Sequence, residues 1–333
     1  MKFAVIGAGG IGGYLGARLA LAGESVTFIA RGPNLQALRT EGIRLIEEDG
    51  TEHRIGSVSA CQQISEAGEQ DVVLLALKAH QVAAVAPQLS ALLGPDTAIV
   101  TLQNGIPFWY FHGLEGPWKG HRLESVDPGG VIASHIDNAR IIGSVVYPAS
   151  ELIAPGVVKV IEGNRFSLGE PDGSKSERVQ RIAQALQNAG FKAPVSSDLR
   201  SEIWLKLWGN LTFNPVSALT HATLAQICRH PRTRELALGM MTEAQQVAEK
   251  LGVRFRISLE RRLAGAEAVG EHKTSMLQDV EQGRPIELEA LLGSVLELAR
   301  LTDTPVPRCE AIHACCALLA EQLSARQARL SLG

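Results

Sequence analysis

The sequence predicts an α/β fold, a parallel-sheet domain over 1–196 followed by an all-helical domain over 197–333. Two observations carry this. Apolar, β-rich runs alternate with helix-period segments in the first part, and nearly everything beyond is helix-period. The early runs are continuous rather than alternating, which marks strands covered on both faces. A third observation is 33 glycines in 333 residues, about one in ten against the usual ~7%. Six of the first sixteen residues are glycine (7, 9, 10, 12, 13 and 16).

In order, 2–6 reads as a strand, 10–22 as a helix, 25–30 as a strand and 35–40 as a short helix. Asp49-Gly50, between the strands 43–47 and 52–55, is a hairpin turn signal. Strands are expected at 71–77 and 97–102, with a helix containing Pro87 over 81–93. Further strands fall at 141–147, 157–161, 166–168 and 191–195, and a helix at 176–189 ends before Gly190. The second part is expected as helices over 198–214, 216–228, 232–251, 257–269, 287–301 and 308–325. Pro215 should bend or end the first of these.

Composition excludes several classes. Thirty-two Lys and Arg against 35 Asp and Glu give a formal net charge of −3, without the basic excess of a nucleic-acid binder. No uninterrupted apolar run reaches the ~18 residues of a membrane span. The amino-terminal apolar stretch is too rich in glycine, and broken by Arg18, to be an export signal. The five Cys are odd in number and form no C-x-x-C, and the nine His have no metal-ligand spacing. The expected setting is therefore reducing and cytoplasmic, with no metal.

Gly7-Ala8-Gly9-Gly10-Ile11-Gly12 matches G-x-G-x-x-G between a strand and a helix, the context of a Rossmann dinucleotide loop. The first glycine permits a tight turn and the second lets a pyrophosphate approach the backbone. The third lets the helix pack on the sheet, and the helix N-terminus faces the phosphates. Where an acid after the second strand would read a ribose hydroxyl, this chain has Arg31, whose planar fork suits a 2′-phosphate. The expected cofactor is therefore NADP(H). Lys78, after the strand 71–77, is a candidate second phosphate contact.

Lys206, Asn210 and Asn214 lie four apart among Ile203, Trp204, Leu205, Leu207, Trp208 and Leu211, so they share one helix face. A lysine among tryptophans is costly unless it has a partner, so the stripe points to a site. Downstream, His272 to Asp279 precedes Gly283-Arg284-Pro285-Ile286-Glu287. In that stretch the Ser and Asp positions suit a helix cap, and Glu287 a first-turn acid.

These residues, with Gln103-Asn104-Gly105, Ser275-Met276-x-Gln278-Asp279 and Gly283-Arg284-x2-Glu287 in the same order, resemble the ketopantoate reductase family over nearly the whole chain. The resemblance implies NADPH-dependent reduction of ketopantoate to pantoate, with a Rossmann domain followed by a helical substrate and dimerisation domain. It implies Lys206 as proton donor and Asn104, Asn210, Asn214 and Ser275 as substrate contacts. Arg31 and Lys78 match contacts to the 2′-phosphate, Glu287 an acid at the ribose, Asn104 a group near the nicotinamide, and Ala149 a backbone contact to the cofactor. The expected partners are a small 2-oxo acid and a second copy of the chain. Two departures leave the substrate open: a polar substrate-side position falls on Leu224, and the aromatic, glycine-containing segment 107–130 is long for the family. A reductase of another 2-oxo acid and a silent NADPH sensor are the alternatives. The 107–130 segment is expected as a packed loop, a dimer contact or a lid.

Overall fold

The computed structural model describes residues 1–331. Two compact units emerge. The first comprises 1–103, 107–122 and 129–199, and the second 104–106, 123–128 and the described residues from 200 onward.

The first unit is built on a seven-stranded sheet. Its strands are β1 (Lys2–Ile6), β2 (Ser25–Ile29), β5 (Ser59–Cys61), β6 (Gln70–Leu75), β7 (Leu93–Thr101), β8 (Ile141–Val146) and β11 (Phe166–Gly169). Their order is β11-β8-β7-β6-β1-β2-β5. All neighbours are parallel except β11 with β8. The apolar strands are buried throughout their central residues, as with Phe3, Val5, Leu74 and Val100. From β1 the chain turns outward to β2 and later returns to β6 on the other side. This makes the carboxyl end of β1 a topological switch point, where such sheets bind ligands. A second sheet of order β4-β3-β10-β9 contains β3 (Ile43–Ile46), β4 (Glu52–Ile55), β9 (Ala149–Ala154) and β10 (Val157–Glu162). Asp49-Gly50 forms the turn of its β3–β4 hairpin, with Gly50 at φ 85°.

Helix α1 (Gly10–Leu21) follows the glycine loop, and α2 (Gly32–Thr40) follows β2. The helix expected over 81–93 shrinks to α3 (Val82–Val85) and a 3₁₀ stretch over Ala86–Leu92, because Pro87 supplies no N–H. Helix α4 (Glu177–Asn188) is capped by Ser176, whose hydroxyl accepts from Val179 N at 3.2 Å. The strand expected at 191–195 makes only isolated bridges, Arg165 with Lys192 and Leu168 with Val195. Strands β5 and β9 carry no signal strong enough to be read beforehand.

The second unit is helical: α5 (Leu199–Thr220), α6 (Leu224–Arg229), α7 (Pro231–Lys250), α8 (Leu259–Ala268), α9 (Ser275–Gln282), α10 (Ser294–Leu301) and α11 (Pro307–Arg326). Pro215 neither ends nor splits α5. Its neighbours Leu211, Phe213, Val216 and Ala218 are buried, and that packing outweighs one lost backbone bond. The helix expected from 287 begins as a π turn, Glu289–Gly293, before α10.

The 107–130 segment is a packed element. Trp109, Tyr110 and Phe111 are at most 2% exposed. The indole N–H of Trp109 donates to Thr101 Oγ1 at 2.9 Å. In the second unit, the Glu297 carboxylate accepts the N–H groups of Glu124 (2.8 Å) and Ser125 (2.9 Å). None of the five cysteines is in a disulfide, and only Cys315 is exposed. Among the described residues no helix is long and apolar enough to cross a membrane, and no cluster of three or more His, Cys, Asp or Glu could hold a metal.

Candidate active site

The glycine loop closes the carboxyl end of β1. Gly7 sits at φ 99°, and a Cβ there would lie 2.7 Å from Ala76 O. A Cβ at Gly12 would strike Gly7 O, and one at Gly10 would strike Ser150 O at the start of β9, beside Ala149. At Gly9 a Cβ would meet nothing within 4 Å. Three glycines therefore serve internal approach, while Gly9 borders open space. Helix α1 starts with neither a capping side chain nor an acid in its first turn. Its positive end suits an anion, and the loop fits a dinucleotide pyrophosphate.

A cleft of ≈ 490 Å³ is lined by Gly7, Ala8, Gly9, Ala30, Arg31 and Asn34, among others. Arg31 is exposed and extended (φ −138°, ψ 161°) at the N-cap of α2. Ile11 lies within α1, behind the loop. Lys78 follows β6, its backbone N–H donating to Gln81 Oε1 at 3.1 Å. Asn34 was missed by sequence reasoning. Its Nδ2 donates to Ala8 O and its Oδ1 accepts from Gly156 N, both at 2.8 Å. One side chain thus ties the glycine loop to the β9–β10 turn. The available signal was an amide in the first turn of the helix after Arg31.

In the second unit, α5 presents Lys206, Asn210 and Asn214. Lys206 Nζ donates to Asn104 Oδ1 at 2.6 Å. The Lys206 side chain is half-buried, but loss of hydration around its ammonium pulls the pKa from 10.5 to about 8, with the Glu287 carboxylate opposing the fall. Trp204 and Trp208 form the buried back of the helix, the indole N–H of Trp208 donating to Met241 O at 2.7 Å. Asn210 is half-buried on the face between Lys206 and Asn214. Asn214 is buried, and its Nδ2 lies 3.5 Å from Ser275 Oγ.

Ser275 is not the cap of α9, and neither is Asp279. Thr274 takes that place, its hydroxyl accepting from Leu277 N at 3.3 Å. This leaves the exposed Ser275 hydroxyl, at the first helical position, turned towards Asn214. Asp279 instead pairs with Arg284, Oδ1 to Nε at 2.8 Å. The structure therefore gathers Lys206, Asn104 and Glu287 into one electrostatic group and Asn214 with Ser275 into a second. Leu224 opens α6, its N–H donating to His272 O at 3.1 Å.

A nucleotide-type glycine loop on a parallel sheet, followed in the chain by a helical unit carrying a lysine of lowered pKa, defines a Rossmann-type oxidoreductase. Family models agree. "Ketopantoate reductase PanE/ApbA" matches residues 3–109, and its C-terminal counterpart matches 198–320. A 2-dehydropantoate 2-reductase of Mesorhizobium japonicum is 55% identical over 315 residues, covering 94% of this chain and 96% of the relative. A solved structure from Ralstonia solanacearum is 40% identical at a TM-score of 0.92, covering 97% of this chain and 98% of that one. A 2-dehydropantoate 2-reductase structure from Geobacter metallireducens is 28% identical at a TM-score of 0.83, covering 97% and 99%. The chain belongs to the ketopantoate reductase family, a family of NAD(P)-dependent oxidoreductases.

Proposed function

We propose that the chain reduces the C2 ketone of ketopantoate to (R)-pantoate with NADPH, Lys206 supplying the proton. The observation that carries this reading is the 2.6 Å Lys206–Asn104 bond on an ammonium whose pKa lies at about 8. NADPH, when bound, supplies the hydride to C2. Negative charge then develops on the ketone oxygen, and a positioned ammonium stabilises it and transfers a proton. Asn104 fixes Nζ, and Glu287 keeps enough positive charge on Lys206 for the acid to be loaded near neutral pH. Asn210, Asn214 and Ser275 offer amide and hydroxyl donors to the carboxylate and hydroxyl of the substrate. On the cofactor side, the α1 N-terminus takes the pyrophosphate, with Ala149 beside the loop, while Arg31 and Lys78 take the 2′-phosphate.

The test is NADPH oxidation followed by absorbance, with ketopantoate and then a panel of 2-oxo acids. Lys206→Ala should lower kcat by about 10²-fold or more, while NADPH still binds. Near-normal turnover removes Lys206 from the mechanism. Arg31→Asp should weaken NADPH relative to NADH, and an unchanged preference ends that assignment. The panel addresses a second reading, favoured by the apolar Leu224 beside His272: a larger or less polar 2-oxo acid as the better substrate.

A further inference from the structure

The helix after Glu287 begins with a π turn, a rare form concentrated at functional sites. The Ser294 N–H reaches back five residues to Glu289 O. The Ala290 carbonyl, which that N–H would bond in an α-helix, accepts from the Ser294 hydroxyl at 2.8 Å and from Ile106 N–H at 3.0 Å. Glu289 folds over Gly293, its Oε2 filling the place of a Cβ. The other carboxylate oxygen, Oε1, lies 2.9 Å from His313 Nε2 on α11. A side chain at 293 would evict that carboxylate from the turn.

The loop that meets Ala290 is built for close approach. Gly105 has φ 91°, and a Cβ there would run into the Ala290 carbonyl. An L-residue with a side chain is excluded twice, by backbone conformation and by contact. The neighbour on one side, Ile106, makes the bond to Ala290. The neighbour on the other, Asn104, holds Lys206.

We infer that the Ala290 carbonyl, freed by the π turn, and the side-chain-free Gly105 form a clasp that positions Asn104 against Lys206, with Gly105 and Gly293 as positioning residues for proton transfer. This rests on the proposed function. The clasp acts through Asn104 alone and touches no reacting atom. An error on the order of 1 Å in such a group is enough to cost a large factor in rate.

Gly105→Ala and Gly293→Ala are compared with the wild type by thermal melting and by NADPH oxidation with ketopantoate across pH. The clasp predicts that kcat falls about tenfold or more in Gly105→Ala and about threefold in Gly293→Ala, with KM for the 2-oxo acid within about twofold. It also predicts that the alkaline limb of the profile moves to lower pH, because the Lys206 ammonium loses an acceptor. A purely structural role would lower the melting temperature and leave the limb in place. Folded variants with unchanged kcat and limb overturn the clasp, as does a loss confined to KM. If Gly105→Ala does not fold, Gly293→Ala decides on the same criteria. A wild type inactive with every 2-oxo acid overturns the proposed function, whereas an active wild type with unaltered variants overturns only the clasp.

Discussion

Lys206 has a pKa of about 8, far from the 10.5 of an ordinary lysine, with desolvation as the main cause and Glu287 opposing it. The sign of its effect on turnover follows. Below about 8 the ammonium is charged and, in the role proposed above, the acid is loaded; above it, each pH unit removes about tenfold of the charged form. Glu287→Gln deletes the group that raises the pKa, so the alkaline limb for ketopantoate reduction should move to lower pH. A limb that stays in place or moves upward in a pH–kcat/KM titration contradicts that role. At this scale the sequence revealed residue types but not meetings. The stripe Lys206, Asn210, Asn214 is local and follows from helical spacing. The bond from Lys206 to Asn104 spans 102 positions, and no periodicity encodes it. The meetings of Asn34 were hidden for the same reason, since both its partners are backbone groups remote in sequence.

Helix boundaries were legible where capping chemistry is local and misleading where tertiary packing decides. Gly190, at φ 89°, follows the end of α4, as the glycine signals, whereas α9 falls between the expected helices 257–269 and 287–301 and ends at Gly283, φ 66°. The start of α9 was harder, because Thr274 and Ser275 are adjacent and both can cap. The choice matters, since the residue that caps spends its hydroxyl on the helix backbone, while its neighbour's lies towards Asn214. Thr274→Ala should cost about 1 kcal/mol in stability, read as a lower urea midpoint. It should also raise KM for the 2-oxo acid as the Ser275 turn loosens. An unchanged KM would detach Ser275 from substrate binding. The proline in α5 shows the opposite limit: a strong local breaker overridden by the buried residues on either side. The π turn at 289–293 had no local signature, and the groups that meet it, Ile106 and His313, are remote in sequence.

At the scale of the molecule, the α/β then all-helical order was readable from apolar runs and helical periods alone. Less readable was the membership of 104–106 and 123–128 in the helical unit, which depends on hydrogen bonds to Ala290 and Glu297 rather than on any local pattern. Within the first unit, two sheets meet at the glycine loop, and the Asn34 amide bridges them through the backbones of Ala8 and Gly156. That bridge has a consequence in time as well as in space. The Gly156 amide hydrogen is held by Asn34 Oδ1, so its exchange with solvent deuterium reports the opening of that bond at the nucleotide end of the unit. In Asn34→Ala that amide should exchange about tenfold faster or more, while amides in the middle of β1 keep their wild-type rates. Equal rates at Gly156 in the two proteins would mean that the loop and turn open independently. Slowing of the same amide by added NADPH would make it a gauge of cofactor occupancy.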